Sequence, residues 1–236
     1  MPFIQRPTPT CPDTALLFVI DFDGTLSTRD TVDSLLERFA PDHWHVLEEQ
    51  WLSGQINAQQ CMREQLRLVE GEPQLIEAFF QQIQLDPWFK PFLDHVQSFA
   101  QVAIVSDGLD HAIQVALANH GLTDLQVYAN HLRFVAPNRL DLEFPLLEAR
   151  CEVGNGVCKC KVAKGLLQGP EDLMVLVGDG KSDACLAHKA DIVFAKNSLI
   201  RYCTDNGIAH IPFDHFGDVL AALKTMTLPT PAVSLA

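Results

Sequence analysis

VIDFDGTLS, residues 19–27, puts two carboxylates, Asp21 and Asp23, directly behind the apolar run LLFVI of residues 16–20. A strand buried on both faces keeps its interior free of charge, so acids at its end mark either a turn or a site. Residues two apart on a strand point the same way, which sends Asp21 and Asp23 to one side and Phe22 to the other. The pair stands at the strand's carboxyl end, where open α/β sheets place their ligands. Taken alone, an Asp-Gly turn capped by its own aspartates accounts for the same letters.

The rest of the chain supplies the context. Short apolar runs that end in polar turns recur at VAIVS (102–106), LQVYA (125–129), LMVLVG (173–178) and DIVFA (191–195), alternating with helical patterns. That alternation is how a parallel α/β sheet reads. Helices are expected after Ser106 to about Asn119, from near Val157 to Gly169-Pro170, and after Ser182. Between Thr28 and Ala100 helical periods dominate, broken at Pro41, Gly54-Gln55, Gly71-Glu72-Pro73 and Asp86-Pro87, and Asn57 with Gln60 has capping-box spacing. HLRFVAPNRLDLEF, residues 131–144, reads as a β-hairpin about Pro137-Asn138. The expected fold is α/β: a Rossmann-like, three-layer parallel-sheet core over 1–28 and 101–236. A helical bundle of four or five helices is inserted after the first strand as a cap over 29–100.

Two further strands end like the first. VAIVSDG sets Ser106, Asp107 and Gly108 at a strand exit, and LVGDGKSD sets Asp179 and Asp183 at another. Each alone reads as a turn or a helix cap, but three such ends in one sheet converge on one crevice. Four carboxylates there repel one another unless a cation lies among them, and an oxygen-only donor set suits Mg2+. Other motifs fail residue by residue. A calcium loop starting at Asp21 needs Gly and Glu where Leu26 and Val32 stand, a phosphate-binding loop ending at Lys181 needs Gly in place of Val175, and a nucleophile elbow on Ser106 needs Gly in place of Ile104.

Composition narrows the partners. The chain has 236 residues, 47% hydrophobic and 20% charged, with a net charge of −13. So acidic a surface argues against nucleic acid and anionic membranes, though a small anion can bind where the local charge is inverted. MPFIQRPTPTCPDT has no apolar core of a signal peptide, LLFVI is too short to span a bilayer, and seven cysteines imply reduced thiols and a cytoplasmic setting. Cys151, Cys158 and Cys160 match no standard zinc spacing. Trp88, Phe89 and Phe92 lie at helical spacing and read as core of the cap.

DFDGT behind a strand, a serine at a later strand end, a lysine opening a downstream helix and GDGxSD together resemble the haloacid-dehalogenase-like phosphatases. The inserted helical cap and YANHLRF (128–134) are similar to the phosphoserine phosphatase-like subgroup. CEVGNGVCKC (151–160), DIVFAKNSLIRYC (191–203) and IPFDHFGDV (211–219) look like its methionine-salvage members, which act on 2-hydroxy-3-keto-5-methylthiopentenyl-1-phosphate. The resemblance implies a Mg2+-dependent phosphomonoesterase for a small phosphorylated metabolite, working as a monomer or homodimer. Asp21 would be the nucleophile and Asp23 the acid and base. Lys159 would complete the catalytic set, with Lys161 and Lys164 as alternates. Gly24, Thr25, Ser106, Asp107, Gly108 and Lys159 would hold the phosphoryl group, and Asp21, Asp23, Asp179 and Asp183 the metal, Asp183 more by orienting a metal water than by direct contact. Asp30 and Arg63 fall where phosphoserine phosphatases grip the ammonium and carboxylate of their substrate, although Asp30 also reads as a helix cap and Arg63 as a surface residue. Asp107 replaces a glycine usual in that subgroup. A phosphotransferase on the same core and a receiver-like phospho-aspartate signalling module remain the alternatives.

Overall fold

The computed structural model describes residues 15–136, 139–149, 151, 154 and 156–226. Pro137-Asn138, residues 152, 153 and 155 of CEVGNGVCKC, and both chain ends lie outside the described residues. One sheet organises the chain. Its strands are β1 (Leu16–Ile20), β2 (Gln101–Leu109), β3 (Gln126–Ala136), β4 (Arg139–Glu143), β5 (Leu173–Gly178), β6 (Ile192–Ala195) and β7 (Ile211–Pro212), in spatial order β4-β3-β2-β1-β5-β6-β7. All neighbours are parallel except the β3–β4 hairpin. β1 lies between β2 and β5, with Val19 opposite Ala103 on one side and Leu176 on the other. The chain leaves β1 toward β2 and later returns to its other side, and this reversal opens a crevice at the carboxyl end of β1.

β1 is buried throughout, and its pleat divides two cores. Leu16, Phe18 and Ile20 join the larger core, while Leu17 and Val19 join the smaller one with Val105, Leu176 and Ala163. A strand with apolar residues on both sides cannot sit at a surface, which is why LLFVI takes the centre.

The segment between β1 and β2 carries α1 (Thr31–Phe39), α2 (His45–Leu52), α3 (Ala58–Arg67), α4 (Pro73–Phe80) and α5 (Phe89–Val96). α3 starts at the capping box of Asn57 and Gln60. α5 packs on the sheet: the Phe92 ring meets Phe18 edge-on at 5.4 Å, and Phe89 meets Phe216 of α10 (Phe216–Thr225) at 5.0 Å. Phe89 and Phe92 are buried as their spacing suggests, but against the sheet and α10 rather than within a separate cap core, and Trp88 is 48% exposed and stacks on His215.

Several boundaries differ from the sequence reading. β2 runs on through Ser106-Asp107-Gly108 to Leu109, with a register shift against β3, so α6 (Asp110–Asn119) begins three residues later than expected. β3 is one strand that includes the first arm of the hairpin. α7 (Lys159–Leu166) stops short of Gly169-Pro170, because the Asp172 carboxylate takes the amides of Gln168 (2.7 Å) and Gly169 (2.8 Å) and fixes a turn there. α8 (Ala184–Ala187) follows a tight turn at 181–183, and α9 (Asn197–Asp205) follows β6.

Candidate active site

The site is assembled from the carboxyl ends of β1, β2 and β5 and the first turn of α7. Asp21 leaves β1 with its amide on Val177 O at 2.9 Å, and Asp21 Oδ1 accepts the amide of Phe22 at 2.8 Å. The chain then makes one wide turn, closed by Ser27 N on Phe22 O at 2.8 Å. Asp23 within the turn is extended and Gly24 has a φ of 69°. A side chain at Gly24 would be strained there, and its Cβ would lie 2.6 Å from Asp179 Oδ2. Glycine in DFDGT therefore admits the acid of another strand.

Asp21, Asp179 and Asp183 each direct a carboxylate oxygen into one cluster, all within 4.8 Å of one another. Lys159 is 3% exposed, and its Nζ lies 2.8 Å from Asp21 Oδ1 and 2.7 Å from Asp183 Oδ1. Asp183 Oδ2 accepts the amides of Asp179 (3.1 Å) and Gly180 (3.2 Å), so both its oxygens are engaged. Asn197 donates to Asp179 Oδ2 at 3.0 Å. With a φ of 49°, Asn197 is the one left-handed residue other than glycine among the described residues. Such a conformation persists where surrounding structure enforces it, and here it aims an amide at a cluster carboxylate.

The charges follow from burial and proximity. Burial pushes the Asp21 carboxyl well above the usual range, Asp183 and Asp179 push further, and Lys159 pulls against them. Burial and Asp183 likewise raise Asp179, opposed by the Asn197 bond. For Lys159, burial opposes the charge, but Asp183, Asp21 and Asp107 outweigh it and hold the ammonium protonated. Three carboxyl groups share one lysine, and a bound cation would favour their ionised forms. Its donors are hard oxygens in a small enclosed space, a set that fits Mg2+.

Asp23 faces the other wall. Thr31, at the start of α1, donates both its amide (2.9 Å) and its hydroxyl to Asp23 Oδ1, while the Ser106 hydroxyl lies 3.4 Å from Asp23 Oδ2. Burial, then the charge of Asp30, raises the Asp23 carboxyl to about 7. Ser106 Oγ in turn accepts the amide of Gly108 at 2.9 Å. A Cβ at Gly108 would come within 2.3 Å of Asp23 Oδ2, so this glycine makes room for the acid. Asn130 of β3 donates to Asp107 O at 2.6 Å and fixes the end of β2 from the far side.

The fold thus draws together Asp21, Asp23, Gly24, Ser106, Gly108, Lys159, Asp179 and Asp183. Thr25 is buried within the turn. Lys161 is exposed and pairs with Glu148 at 2.9 Å, and Lys164 is exposed too, so of the three lysines Lys159 lies in the cluster. Asp30 is exposed and caps α1, accepting the Asp33 amide at 2.9 Å. Arg63 of α3 directs Nε (3.1 Å) and Nη2 (2.9 Å) to Leu142 O, pairs with Asp141 at 3.5 Å and stacks over Phe144. Its guanidinium ties the helical insertion to the hairpin. Lys181 over the Trp51 ring and Gln59 on Gly154 O (3.0 Å) add contacts between that insertion and the core. Thr31, Asn130 and Asn197 are the supporting residues that the sequence reading missed.

The family model for haloacid dehalogenase-like hydrolases matches residues 18–188. The chain belongs to this family. A 2-hydroxy-3-keto-5-methylthiopentenyl-1-phosphate phosphatase from Exiguobacterium sibiricum is 33% identical over 210 residues, which cover 87% of this chain and 94% of that one. A protein of the same name from Exiguobacterium sp. (strain ATCC BAA-1283 / AT1b) is 29% identical over 209 residues, covering 87% and 96%. Among solved structures, a phospho-aspartyl intermediate analogue of phosphoserine phosphatase matches with a TM-score of 0.65 at 21% identity, over 89% of this chain and 99% of that one. A HAD family hydrolase from Salmonella enterica serovar Typhi matches at 0.68 and 17%, over 93% and 75%. At those identities the solved structures speak for the fold. The curated relatives, which are named phosphatases, make this haloacid dehalogenase-like protein a phosphatase.

Proposed function

We propose that the protein is a Mg2+-dependent phosphomonoesterase that works through an aspartyl-phosphate on Asp21. The observation that carries this is the buried cluster of Asp21, Asp179 and Asp183 around Lys159, with Asp23 held separately on the same turn. In this reading Asp21 attacks phosphorus as the ester bond breaks, and the departing oxygen takes the proton of Asp23. Water then attacks the phosphoryl group, returns a proton to Asp23 and frees Asp21 with inorganic phosphate. Splitting the hydrolysis into two displacements lowers the barrier of each. An acid near neutrality, such as Asp23 at about 7, both gives and takes a proton readily. Ser106, Lys159 and the backbone about Gly24, Thr25, Asp107 and Gly108 would hold the phosphoryl oxygens, where charge stabilisation contributes most.

Asp21, Asp179 and the Asp23 backbone carbonyl would hold Mg2+, with Asp183, whose oxygens are already engaged, orienting from behind. Bound there, the ion supplies positive charge that lets an anionic nucleophile and an anionic substrate approach. In this reading 29–100 caps a core of 1–28 and 101–236 over the carboxylate cluster, with α1–α4 as the helical wall and α5 packed on the sheet.

For the substrate we favour an uncharged carbon chain beyond the phosphate, of the kind named for the curated relatives, over phosphoserine. Arg63 is engaged with the hairpin, so its guanidinium does not stand free to grip a carboxylate. The charge of −13 supports a reading without nucleic-acid partners, and among the described residues no helix is long and apolar enough to cross a membrane. The test is initial-rate hydrolysis of 2-hydroxy-3-keto-5-methylthiopentenyl-1-phosphate and of O-phosphoserine, with Mg2+ and with chelator. The proposal expects the first to be the better substrate and chelator to abolish both rates. A preference for phosphoserine overturns the substrate, and metal-independent turnover overturns the mechanism. Phosphoryl transfer to an alcohol in place of water, or a stable phosphoprotein without turnover, would point to a phosphotransferase or a signalling module.

A further inference from the structure

Asp179, the contribution of the β5 end to the carboxylate cluster, is held by one short segment that follows β6. Lys196 N donates to Gly178 O at 3.0 Å, Leu199 N to Asp179 O at 2.9 Å, and Ser198 Oγ to the same Asp179 carbonyl at 3.2 Å. From between these anchors Asn197 Nδ2 reaches the side chain and donates to Asp179 Oδ2 at 3.0 Å. Asn197 opens α9 with a left-handed φ of 49°, and no side chain caps that helix, so its conformation serves the carboxylate and not the helix end. The two oxygens of Asp179 are thereby made unequal. Oδ2 lies between the Asn197 amide and Gly24, where a Cβ would come within 2.6 Å of it. Oδ1 lies 3.7 Å from that same point, clear of the amide.

We infer that Asn197 biases the site toward Mg2+ and against Ca2+ by occupying Asp179 Oδ2, so that this side chain offers an ion one oxygen, Oδ1. The inference rests on the reading of Asp179 as a ligand of Mg2+. The two ions ask different things of a carboxylate. Mg2+ is small, holds to octahedral geometry with short bonds, and is served by one oxygen of each acid, whereas Ca2+ takes up to about eight oxygens in a flexible shell and readily draws both oxygens of one acid. A carboxylate free to turn about its Cβ–Cγ bond can present both. The Asn197 amide opposes that turn, because the main chain on either side of it is tied to Gly178 O and Asp179 O. Water in place of the amide would supply a hydrogen bond without the fixed position. Asn197 is thus a positioning residue that acts through Asp179 and touches no reacting atom.

The test titrates the metal-free full chain with Mg2+ and, separately, with Ca2+ by calorimetry, and reads the ratio of the two dissociation constants. Asn197→Gly tolerates the left-handed backbone and removes the amide. It should weaken Mg2+ binding on the order of tenfold, as loss of a partner behind a metal ligand does, and leave Ca2+ bound as tightly or more so, which moves the ratio at least about tenfold toward Ca2+. Asn197→Asp sets an oxygen against Asp179 Oδ2 and should move the ratio the same way. Ser198→Ala, which loses a bond to the Asp179 carbonyl alone, should keep the ratio of the parent, and all three variants should keep its circular dichroism spectrum. Equal weakening of both ions in the Asn197 variants, no change in either, or an equal shift of the ratio in Ser198→Ala would each overturn the inference and leave the phosphatase reading standing. A parent that binds neither ion would overturn the metal dependence of that reading, and this inference with it.

Discussion

Replacing Asp23 with asparagine preserves the outline of the side chain and removes a charge that its surroundings oppose. Burial, then the neighbouring Asp30, moves this carboxyl from 3.8 to about 7, against the two hydrogen bonds of Thr31. A carboxyl with a folded-state pKa above its unfolded value binds more protons folded than unfolded, so stability falls as pH rises between the two values. A rise of about three pKa units corresponds to roughly 4 kcal/mol in full, of which roughly 2–3 kcal/mol develops between about pH 5 and about pH 8. An asparagine Oδ1 accepts the same Thr31 donors and is neutral throughout. Asp23→Asn should therefore stabilise the metal-free protein, and by roughly 2–3 kcal/mol more at about pH 8 than at about pH 5. Urea unfolding in chelator at the two pH values measures this directly. The same variant should lose about 10²–10⁴-fold in turnover, because the departing oxygen has no acid. A stability gain that is equal at both pH values, or a variant less stable at the higher one, would refute the reasoning.

Lys159→Met should lower stability by about 3–5 kcal/mol and reduce turnover at least about a hundredfold, because it strands Asp21 and Asp183 in the interior. Lys164→Ala, at an exposed position, should stay within about 0.5 kcal/mol by thermal unfolding and leave turnover unchanged. Gly108→Ala drives a methyl group against Asp23 Oδ2, so kcat should fall at least about tenfold while the circular dichroism spectrum stays that of the parent. Arg63→Ala releases α3 from the hairpin. It should cost about 1–3 kcal/mol in unfolding assays and raise KM more than it lowers kcat, since the helical wall is loosened and the carboxylate cluster is untouched.

The central sheet is readable in the sequence because strands buried on both faces are apolar throughout and stop at the first charge. LLFVI and LMVLVG fall on β1 and β5 without adjustment. Asp21 and Asp179 are readable for the same reason, since each follows such a run directly, and Asp183 lies in the polar turn behind the second. β2 is harder. Ser106-Asp107-Gly108 has the letters of a turn, and only its pairing with β3 beyond a bulge keeps it extended. β7, two residues long, has no periodicity to detect. The supporting residues are hidden by distance. Thr31 has the letters of an ordinary helix start, and its role at Asp23 follows from the wide turn that brings two residues eight apart together. Asn197 shows at most a polar residue after a strand, and Asn130 one polar letter within a strand. Their targets, Asp179 and the Asp107 carbonyl, are reached through sheet order alone. Arg63 is the reverse case: its sequence position suggests a substrate ligand, and the fold gives its guanidinium a carbonyl and an aromatic ring of the hairpin.

The claim beneath the mechanism is that Asp21 carries the phosphoryl group between the two displacements. Acid quenching of the Mg2+-loaded protein during turnover, followed by mass mapping of the trapped phosphoryl group, tests it most directly. The mechanism predicts the modification on Asp21 and none in Asp21→Asn, which should also be inactive. Steady turnover by Asp21→Asn, or a phosphoryl group trapped on another residue, would contradict it.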